Sequence, residues 1–129
     1  MINAFYISKS GVKSYQESLN IISNNLANVS TDGFKAQIAE FEELIYTDTD
    51  NTEGTELTGT VGSGSKITVK EDSTPGAPIF YESEISERSN VDLTAELARM
   101  ITSQRGYQLN SKMIQTADEL EQTANNLIR

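Results

Sequence analysis

The side chains most able to do chemistry in this sequence are carboxylates, since it contains 19 Asp and Glu residues but no histidine and no cysteine. Glu42 and Glu43 are adjacent, and Glu82 and Glu84 are two residues apart, so each pair could supply an acid and a base. Such a pair works only when its surroundings separate the two pKa values, which a solvated segment does not do. We therefore expect no catalytic residue and a protein that is not an enzyme.

Metal and cofactor sites are equally poorly supported. Asp48, Asp50, Asn51 and Glu53 resemble the alternating oxygen ligands of a calcium loop, but the glycine and the closing glutamate stand at the wrong offsets. The sequence also contains no glycine-rich nucleotide loop and no nucleophile motif. We expect no metal, no cofactor and no small-molecule substrate.

The charge distribution excludes further classes of partner. The formal net charge is −9, and residues 36–90 carry nearly all of it, whereas residues 1–35 and 91–129 are almost neutral. No basic cluster is available for a phosphate backbone, so nucleic acid is not an expected partner. The sequence has no run of about 18 apolar residues, so we expect no insertion into lipid. The first residues also lack the pattern of a cleaved signal peptide.

The N-terminal region has the apolar periodicity of a helix that packs along one seam. Apolar residues recur at alternating intervals of three and four, which predicts a helix over residues 3–29. Thr31-Asp32-Gly33 is a stop signal, because glycine ends a helix in the left-handed conformation at little steric cost. The predicted seam residues are Val12, Tyr15, Leu19, Ile22, Leu26 and Val29.

The C-terminal region repeats the pattern and predicts a second helix from about residue 90 to 128. Ser89 or Asn90 can cap it, and Asp92 suits the positive end of the helix dipole. The seam is re-phased after residue 107, which alters the supercoil if the helix is continuous. The predicted seam residues are Leu93, Leu97, Met100, Gln104 and Tyr107, and then Met113, Ala117, Leu120 and Leu127.

The middle of the chain has a different composition from its two ends. Residues 34–46 could be helical or extended, and residues 47–65 are rich in Gly, Thr, Asp and Asn and predict a loop. Lys66–Lys70 and Ile79–Glu82 have strand-like composition around a Pro75-Gly76 turn signal, which predicts a short hairpin. The predicted fold class is mainly α: two long terminal helices form an extended coiled coil (1–33 and 89–129), with an irregular middle and a short β-hairpin (34–88).

Two segments of the sequence carry a family resemblance. Residues 24–35, Asn-Asn-Leu-Ala-Asn-Val-Ser-Thr-Asp-Gly-Phe-Lys, and the segment from Ser89 to Lys112 resemble the N- and C-terminal signatures of the bacterial flagellar basal-body rod and hook axial proteins. Within the family, the opening residues and residues 39–46 are most similar to distal rod members, with hook proteins next. The usual large middle domain has no counterpart here. The signature residues are Asn24, Asn25, Leu26, Ala27, Asn28, Thr31, Gly33, Phe34, Lys35, Asn90, Val91, Asp92, Gln104, Arg105 and Tyr107.

The resemblance implies a structural subunit of the flagellar rod, the axial tube of the basal body. Such a subunit assembles helically through its terminal helices, transmits torque and forms the export channel. Its implied partners are copies of itself, other rod and hook proteins, and the flagellar type III export apparatus, which exports it to the basal body without a cleaved signal. The alternatives are a hook or other axial subunit, or a soluble coiled-coil adaptor of the export system.

The packing expected from the sequence buries the seam inside the helix pair and directs other apolar residues to neighbouring subunits. Those outward residues are expected to be Ile21, Ile101, Leu109, Ile114 and Ile128. Tyr15 and Tyr107 are expected to face the core, while Gln104 could trade stability for specificity.

Polar signature residues leave two interpretations open. Asn24, Asn25 and Asn28 either bond backbone groups of a neighbouring subunit and fix register, or cap and solvate the helix end. Arg105 either pairs with an acidic neighbouring chain or points to water.

Overall fold

Two long helices dominate the computed structural model of the chain, which describes residues 2–44, 47–48, 60–61, 64–80 and 85–127. They are α1 (Ile2–Ala27) and α2 (Leu93–Leu127), and they pack against each other. Between them in sequence, the described residues form short strands that pair two by two. The predicted fold class, mainly α with two long terminal helices and small β elements, is confirmed.

The end of α1 follows from local backbone chemistry. After Ala27 the chain turns, and the N–H of Thr31 donates to the Asn28 carbonyl at 3.1 Å. Gly33 then takes a φ of +75°, a conformation that a residue with a Cβ rarely adopts. The stop predicted around residues 31–33 is therefore present.

The start of α2 is fixed by Asp92. Its Oδ1 accepts the backbone N–H groups of Thr94 at 2.9 Å and Ala95 at 3.3 Å, which is the geometry of an N-cap. Ser89 and Asn90 were the predicted caps, and that prediction is wrong, because the cap must directly precede the first helical residue, Leu93.

The two helices run antiparallel. Ser18 contacts Ser103, and a Cβ on Gly11 would touch the side chain of Asn110, so residue numbers rise along one helix as they fall along the other. With a rise of about 1.5 Å per residue, α1 is about 39 Å long and α2 about 53 Å. The pair is an elongated rod rather than a globule.

The strands form three separate two-stranded antiparallel sheets in the described residues: β1 with β4, β2 with β3, and β5 with β6. In the β1–β4 pair, Phe41 lies opposite Ile67. The N–H of Leu44 donates to the Gly64 carbonyl at 2.9 Å and extends this ladder by one more bond. The strands are β1 (Gln37–Glu43), β2 (Thr47–Asp48), β3 (Thr60–Val61), β4 (Ser65–Glu71), β5 (Pro78–Phe80) and β6 (Ile85–Glu87).

The hairpin predicted around Pro75-Gly76 is wrong in its pairing. Lys66–Lys70 is a strand, but its partner is β1, and Ile79 and Phe80 pair with β6, while residues 81 and 82 lie outside the described range. The physical reason is length: β1 offers β4 seven paired residues, whereas the segment after Pro75 contributes only a three-residue strand. Residues 34–46, left open in the sequence, are extended over 37–43.

The apolar core of the described residues is small. Ile21, Ile22 and Ala36 are its buried apolar residues. Ile21 was expected to face a neighbouring subunit, and that expectation is wrong: only 7% of it is exposed, because β1 packs back against α1 near this position. Neither helix, over the residues described, has an apolar stretch long enough to cross a bilayer.

Candidate assembly surface

α1 and α2 meet along a line of small and polar side chains. Ser8, Ser14 and Ser18 of α1 and Ser103 of α2 are all buried, and the Ser14 hydroxyl also donates to the Ser65 carbonyl of β4 at 2.9 Å. The hydroxyls of Ser18 and Ser103 share a hydrogen bond of 3.0 Å, so each satisfies the other away from water. Small side chains at these positions allow the two backbones to approach closely, since interaxial distance depends on the side chains at the contact.

Tyr15 fills the space left by a glycine on α2. A Cβ built on Gly106 would lie 2.3 Å from the Tyr15 ring, a distance at which something must move. The same ring lies 5.1 Å, centroid to centroid, from Phe41 of β1. Tyr15 is thus held between α2 and the β1–β4 pair, and it lies at the core side of the helix pair.

Asn25 fastens the end of α1 to the start of β1. Its side chain is fully buried; Nδ2 donates to the Gln37 carbonyl at 2.8 Å, and Oδ1 accepts the Gln37 N–H at 2.9 Å. The Asn25 amide thus bonds Gln37 as a neighbouring strand would, and it satisfies both the N–H and the carbonyl of Gln37. Its bonds lie within the chain.

Asn24 and Asn28 occupy the helix end itself. Asn28 Nδ2 donates to the carbonyl and to Oδ1 of Asn24 at 2.9 and 3.0 Å, and Thr31 Oγ1 donates to Asn28 Oδ1 at 3.2 Å. These contacts are those expected of side chains that cap the last turn of a helix.

Asn90 forms hydrogen bonds with the segments that lead into and out of the middle of the chain. Its Oδ1 accepts the Ala36 N–H at 2.7 Å, while its Nδ2 donates to the carbonyls of Asp72 and Thr74 at 3.0 and 2.9 Å. One side chain therefore satisfies three backbone groups from two distant segments. We call residues 33–36, 72–77 and 87–90 the linker junction.

A charged pair stabilises the same junction. Lys35 Nζ lies 2.7 Å from Glu87 Oε2, and the Gly33 N–H donates to the Glu87 carbonyl at 2.6 Å. The hydrogen bond and the positive charge from Lys35 hold the pKa of Glu87 below its ordinary value. The signature residues Gly33, Lys35 and Asn90 thus share one structural role, which is to hold the linker junction together.

The predicted seam residues separate into two groups. Those of α1 are buried or half-buried, whereas most of those of α2 are exposed. The prediction that the seam residues are buried inside the helix pair is thus wrong for α2. Ser103, Gly106 and Asn110 face α1 in their place. The exposed seam residues are Leu93, Leu97, Gln104, Tyr107, Met113, Leu120 and Leu127; Met100 and Ala117 are half-buried.

The exposed apolar residues of α2 follow a regular row. Leu93, Leu97, Ile101, Leu109 and Met113 are spaced by four residues, with Arg105 at the one remaining position. Such i, i+4 rows form the ridges that pack into grooves of another helix. We call this row, including Arg105, the apolar ridge.

Exposure along the apolar ridge ranges from 43% at Leu97 to 67% at Leu109. Ile101 and Leu109 were expected to face outward, and both are exposed; Ile114 is half-buried, and Ile128 lies outside the described residues. Exposed apolar residues in such a row, interrupted by Arg105, are typical of a surface that contacts another protein.

The carboxylates considered for chemistry do not form a catalytic pair in the described residues. Glu42 accepts hydrogen bonds from Thr68 and Lys66, and these lower its pKa, which is the opposite of what a general acid needs. Glu82, Glu84 and most of the candidate calcium loop lie outside the described range. Within the described residues, no group of His, Cys, Asp and Glu is arranged to hold a metal.

Two features of this surface were missed by sequence reasoning. The serine and glycine line was overlooked because hydrophobic periodicity ignores small polar residues, although its spacing of three and four at residues 8, 11, 14 and 18 was a usable signal. The other is Glu96, which is buried; its Oε1 accepts from Arg99 at 2.6 Å, and its Oε2 has no partner among the described residues.

Comparison with known proteins places these features in a family. A family model described as "Flagella basal body rod protein" matches residues 5–35, and one described as "Flagellar basal body rod FlgEFG protein C-terminal" matches residues 82–127. Together they cover more than half of the chain. They contain most of α1, the parts of the linker junction around Gly33 and Asn90, and all of α2.

Individual relatives agree with the family models. Over 46 residues the chain is 59% identical to the flagellar basal-body rod protein FlgG of Buchnera aphidicola subsp. Acyrthosiphon pisum, covering 36% of this chain and 18% of that protein. It is 43% identical over 75 residues to FlgG of Borreliella burgdorferi, covering 52% and 28%. The flagellar hook protein FlgE of Escherichia coli K12 is 42% identical over 74 residues, covering 57% and 15%.

The matched parts account for less than a third of the length of these relatives. The two family models, by contrast, match most of α1 and all of α2, the helix that carries the apolar ridge. The chain belongs to the family of bacterial flagellar rod and hook proteins and within it is similar to FlgG.

Proposed function

We propose that the chain is a structural subunit of the flagellar rod, the axial tube of the basal body. It assembles helically through α1 and α2 with copies of itself and with other rod and hook proteins, transmits torque and lines the export channel. The observation that carries this proposal is the apolar ridge, exposed on a helix that matches the rod family over its whole length.

The distribution of apolar side chains favours an assembled state over an isolated chain. The described residues bury few apolar side chains, while the five apolar residues of the ridge remain open to solvent. Full burial of one such side chain contributes about 1.5–3 kcal/mol, so covering the ridge stabilises each contact by several kcal/mol. Contacts between unlike surfaces that do not close into a ring produce an open helical tube.

Localisation and export are parts of the same proposal. A rod subunit resides in the basal body, and we propose that this chain reaches it through the flagellar type III export apparatus without a cleaved signal peptide. The location is supported by the basal-body rod proteins to which the chain is similar.

A second candidate within the family is a hook or other axial subunit, favoured by the similarity to the Escherichia coli hook protein over 57% of this chain. A soluble adaptor of the export system would also use an exposed apolar ridge. The two classes differ in assembly: an adaptor forms an oligomer of fixed size, whereas an axial subunit grows open-ended.

Mass spectrometry of purified hook–basal bodies from the bacterium that makes this chain tests the proposal. After stringent washing, an axial subunit is expected at tens of copies per structure. A strain lacking the gene provides the background signal, and fractions that contain only rod or only hook distinguish the two axial positions. Absence of the chain from intact structures would contradict an axial role and favour the adaptor.

A further inference from the structure

A second surface lies where the start of α1 meets the C-terminal half of α2. It is a groove of about 660 Å³ with an aromatic wall, formed by Phe5 and Tyr6, whose rings meet edge to face at 6.2 Å. We call it the terminal groove. It is lined by Phe5, Tyr6, Ile114, Gln115, Ala117, Asp118 and Glu121.

The terminal groove has an acidic side. Asp118 and Glu121 both line it, and neither has an ion-pair partner within the described part of the chain. Asp118 Oδ2 accepts one hydrogen bond, from the neutral Gln122 side chain at 3.2 Å. An occupant that is apolar along most of its length and cationic at one end would suit both walls.

The first part of the apolar ridge has this composition. Leu97 and Ile101 are 43% and 52% exposed, and Arg105 follows one helical step further on. Over the described residues, Arg105 forms no ion pair. A guanidinium can bond two carboxylate oxygens at once, which makes it well suited to a pair of acidic side chains.

The two surfaces also match in length. Leu97 to Arg105 spans eight residues, or about 12 Å of helix, and Ile114 to Glu121 spans seven, or about 10 Å. They lie on different parts of α2, so one copy cannot bring its own Arg105 to its own Glu121, which is sixteen residues or about 24 Å away along the same helix.

We propose that the terminal groove receives Leu97, Ile101 and Arg105 of a second copy of this chain, with Arg105 facing Asp118 and Glu121. This rests on the proposed function, which it deepens by naming the two surfaces that meet. The surfaces differ, so the contact is head-to-tail: every copy that docks presents a fresh groove, and the assembly stays open.

Charge reversal tests the pairing in the living bacterium. Arg105→Glu and Glu121→Arg each place like charges together and should lower incorporation into hook–basal bodies about tenfold or more. The double variant Arg105→Glu/Glu121→Arg restores one pair of opposite charges, although Asp118 is unchanged, and should recover part of the lost incorporation. Lys13→Glu and Glu119→Arg are the matched controls, since they make the same charge changes on exposed residues outside both surfaces.

The outcomes separate this contact from the proposed function. If the wild-type chain is absent from basal bodies, the proposed function fails. If the wild type is present and either reversal incorporates normally, or the double variant fails to recover, only the contact is overturned.

Crosslinking provides an independent measurement, because the chain has no natural cysteine. With a short bismaleimide, chains carrying both Ile101→Cys and Ala117→Cys should form a ladder of multimers, and either single variant should form none. Dimers from Ile101→Cys alone would indicate a symmetric contact and overturn the proposal. Crosslinks of the double variant only to a different flagellar protein would overturn the second copy as occupant.

Discussion

The ring of Tyr15 occupies the place where a side chain on residue 106 would begin, so that a Cβ there would lie 2.3 Å from the ring. Gly106→Ala should therefore destabilise the helix pair by about 1–3 kcal/mol, as overpacking does, despite the better helix propensity of alanine. Urea unfolding of the purified chain measures this. Gly11→Ala is the matched control: the nearest atoms to its Cβ would be those of the Asn110 side-chain amide at 2.9 Å, a less severe approach than 2.3 Å, so a smaller loss is expected.

Asn25 should be more sensitive than its neighbour in the sequence. Asn25→Ala leaves the N–H and carbonyl of Gln37 without their partner, and each such group costs about 1–3 kcal/mol when buried, so a loss of about 2 kcal/mol or more is expected. The exposed Asn24→Ala should cost about 0.5 kcal/mol or less. Equal effects of the two substitutions on the free energy of unfolding would refute the fastening role of Asn25.

The Ser18 and Ser103 hydroxyls should behave as a unit. Either Ser→Ala substitution strands the other hydroxyl in a buried site and should cost about 1 kcal/mol, whereas the double substitution removes both groups and should cost less than the sum. A double-mutant cycle on the free energy of unfolding measures the coupling. Strict additivity would show that the hydroxyls do not depend on each other.

The Lys35–Glu87 pair should make stability depend on pH in the acid range. The pKa of Glu87 is lowered in the folded chain, so the pair contributes fully above the ordinary glutamate value of 4.5 and is lost as pH falls through the lowered pKa. Lys35→Met should therefore reduce stability more at about pH 6 than at about pH 3. Carboxyl NMR should show the pKa of Glu87 rising in the variant, and Lys9→Met, with no ion pair in the described residues, is the control.

The apolar ridge should matter for assembly rather than for folding. Leu109 is 67% exposed, so Leu109→Asp is expected to leave the free energy of unfolding within about 0.5 kcal/mol while sharply lowering incorporation into basal bodies. Gln108→Asp adds the same charge one residue away from the ridge and should incorporate normally. Normal motility of a strain carrying only Leu109→Asp would contradict assembly through this ridge.

The sequence predicted the helices well because their signals are local. Periodic apolar residues, the absence of proline and the Gly33 stop placed both helices within about three residues of their observed ends. The resemblance at residues 24–35 and 89–112 likewise identified parts of the linker junction, together with the end of α1 and the first part of α2.

The pairing of strands and helices was less accessible, because it depends on residues far apart in sequence. Nothing near Lys66–Lys70 indicates that its partner is β1, about 30 residues earlier, so a nearby turn signal suggested the wrong hairpin. The contact between α1 and α2 was misassigned for a different reason. The leucine periodicity predicts that the leucines form the buried seam. Serine and glycine instead permit closer packing of the two helices and leave the leucines of α2 exposed to solvent.

The hydrogen bond from the Leu44 N–H to the Gly64 carbonyl brings together the points at which the chain leaves the β1–β4 pair and returns to it. The segment between these points therefore leaves and re-enters the β1–β4 pair at one end, which lies next to α1, since the Ser65 N–H donates to Ser10 Oγ at 3.3 Å. Because the entropy of closing a loop rises only slowly with its length, that segment can grow or shrink at little cost to the base. The length of that segment can therefore change while the hydrogen bonds that join β1 to β4 are kept.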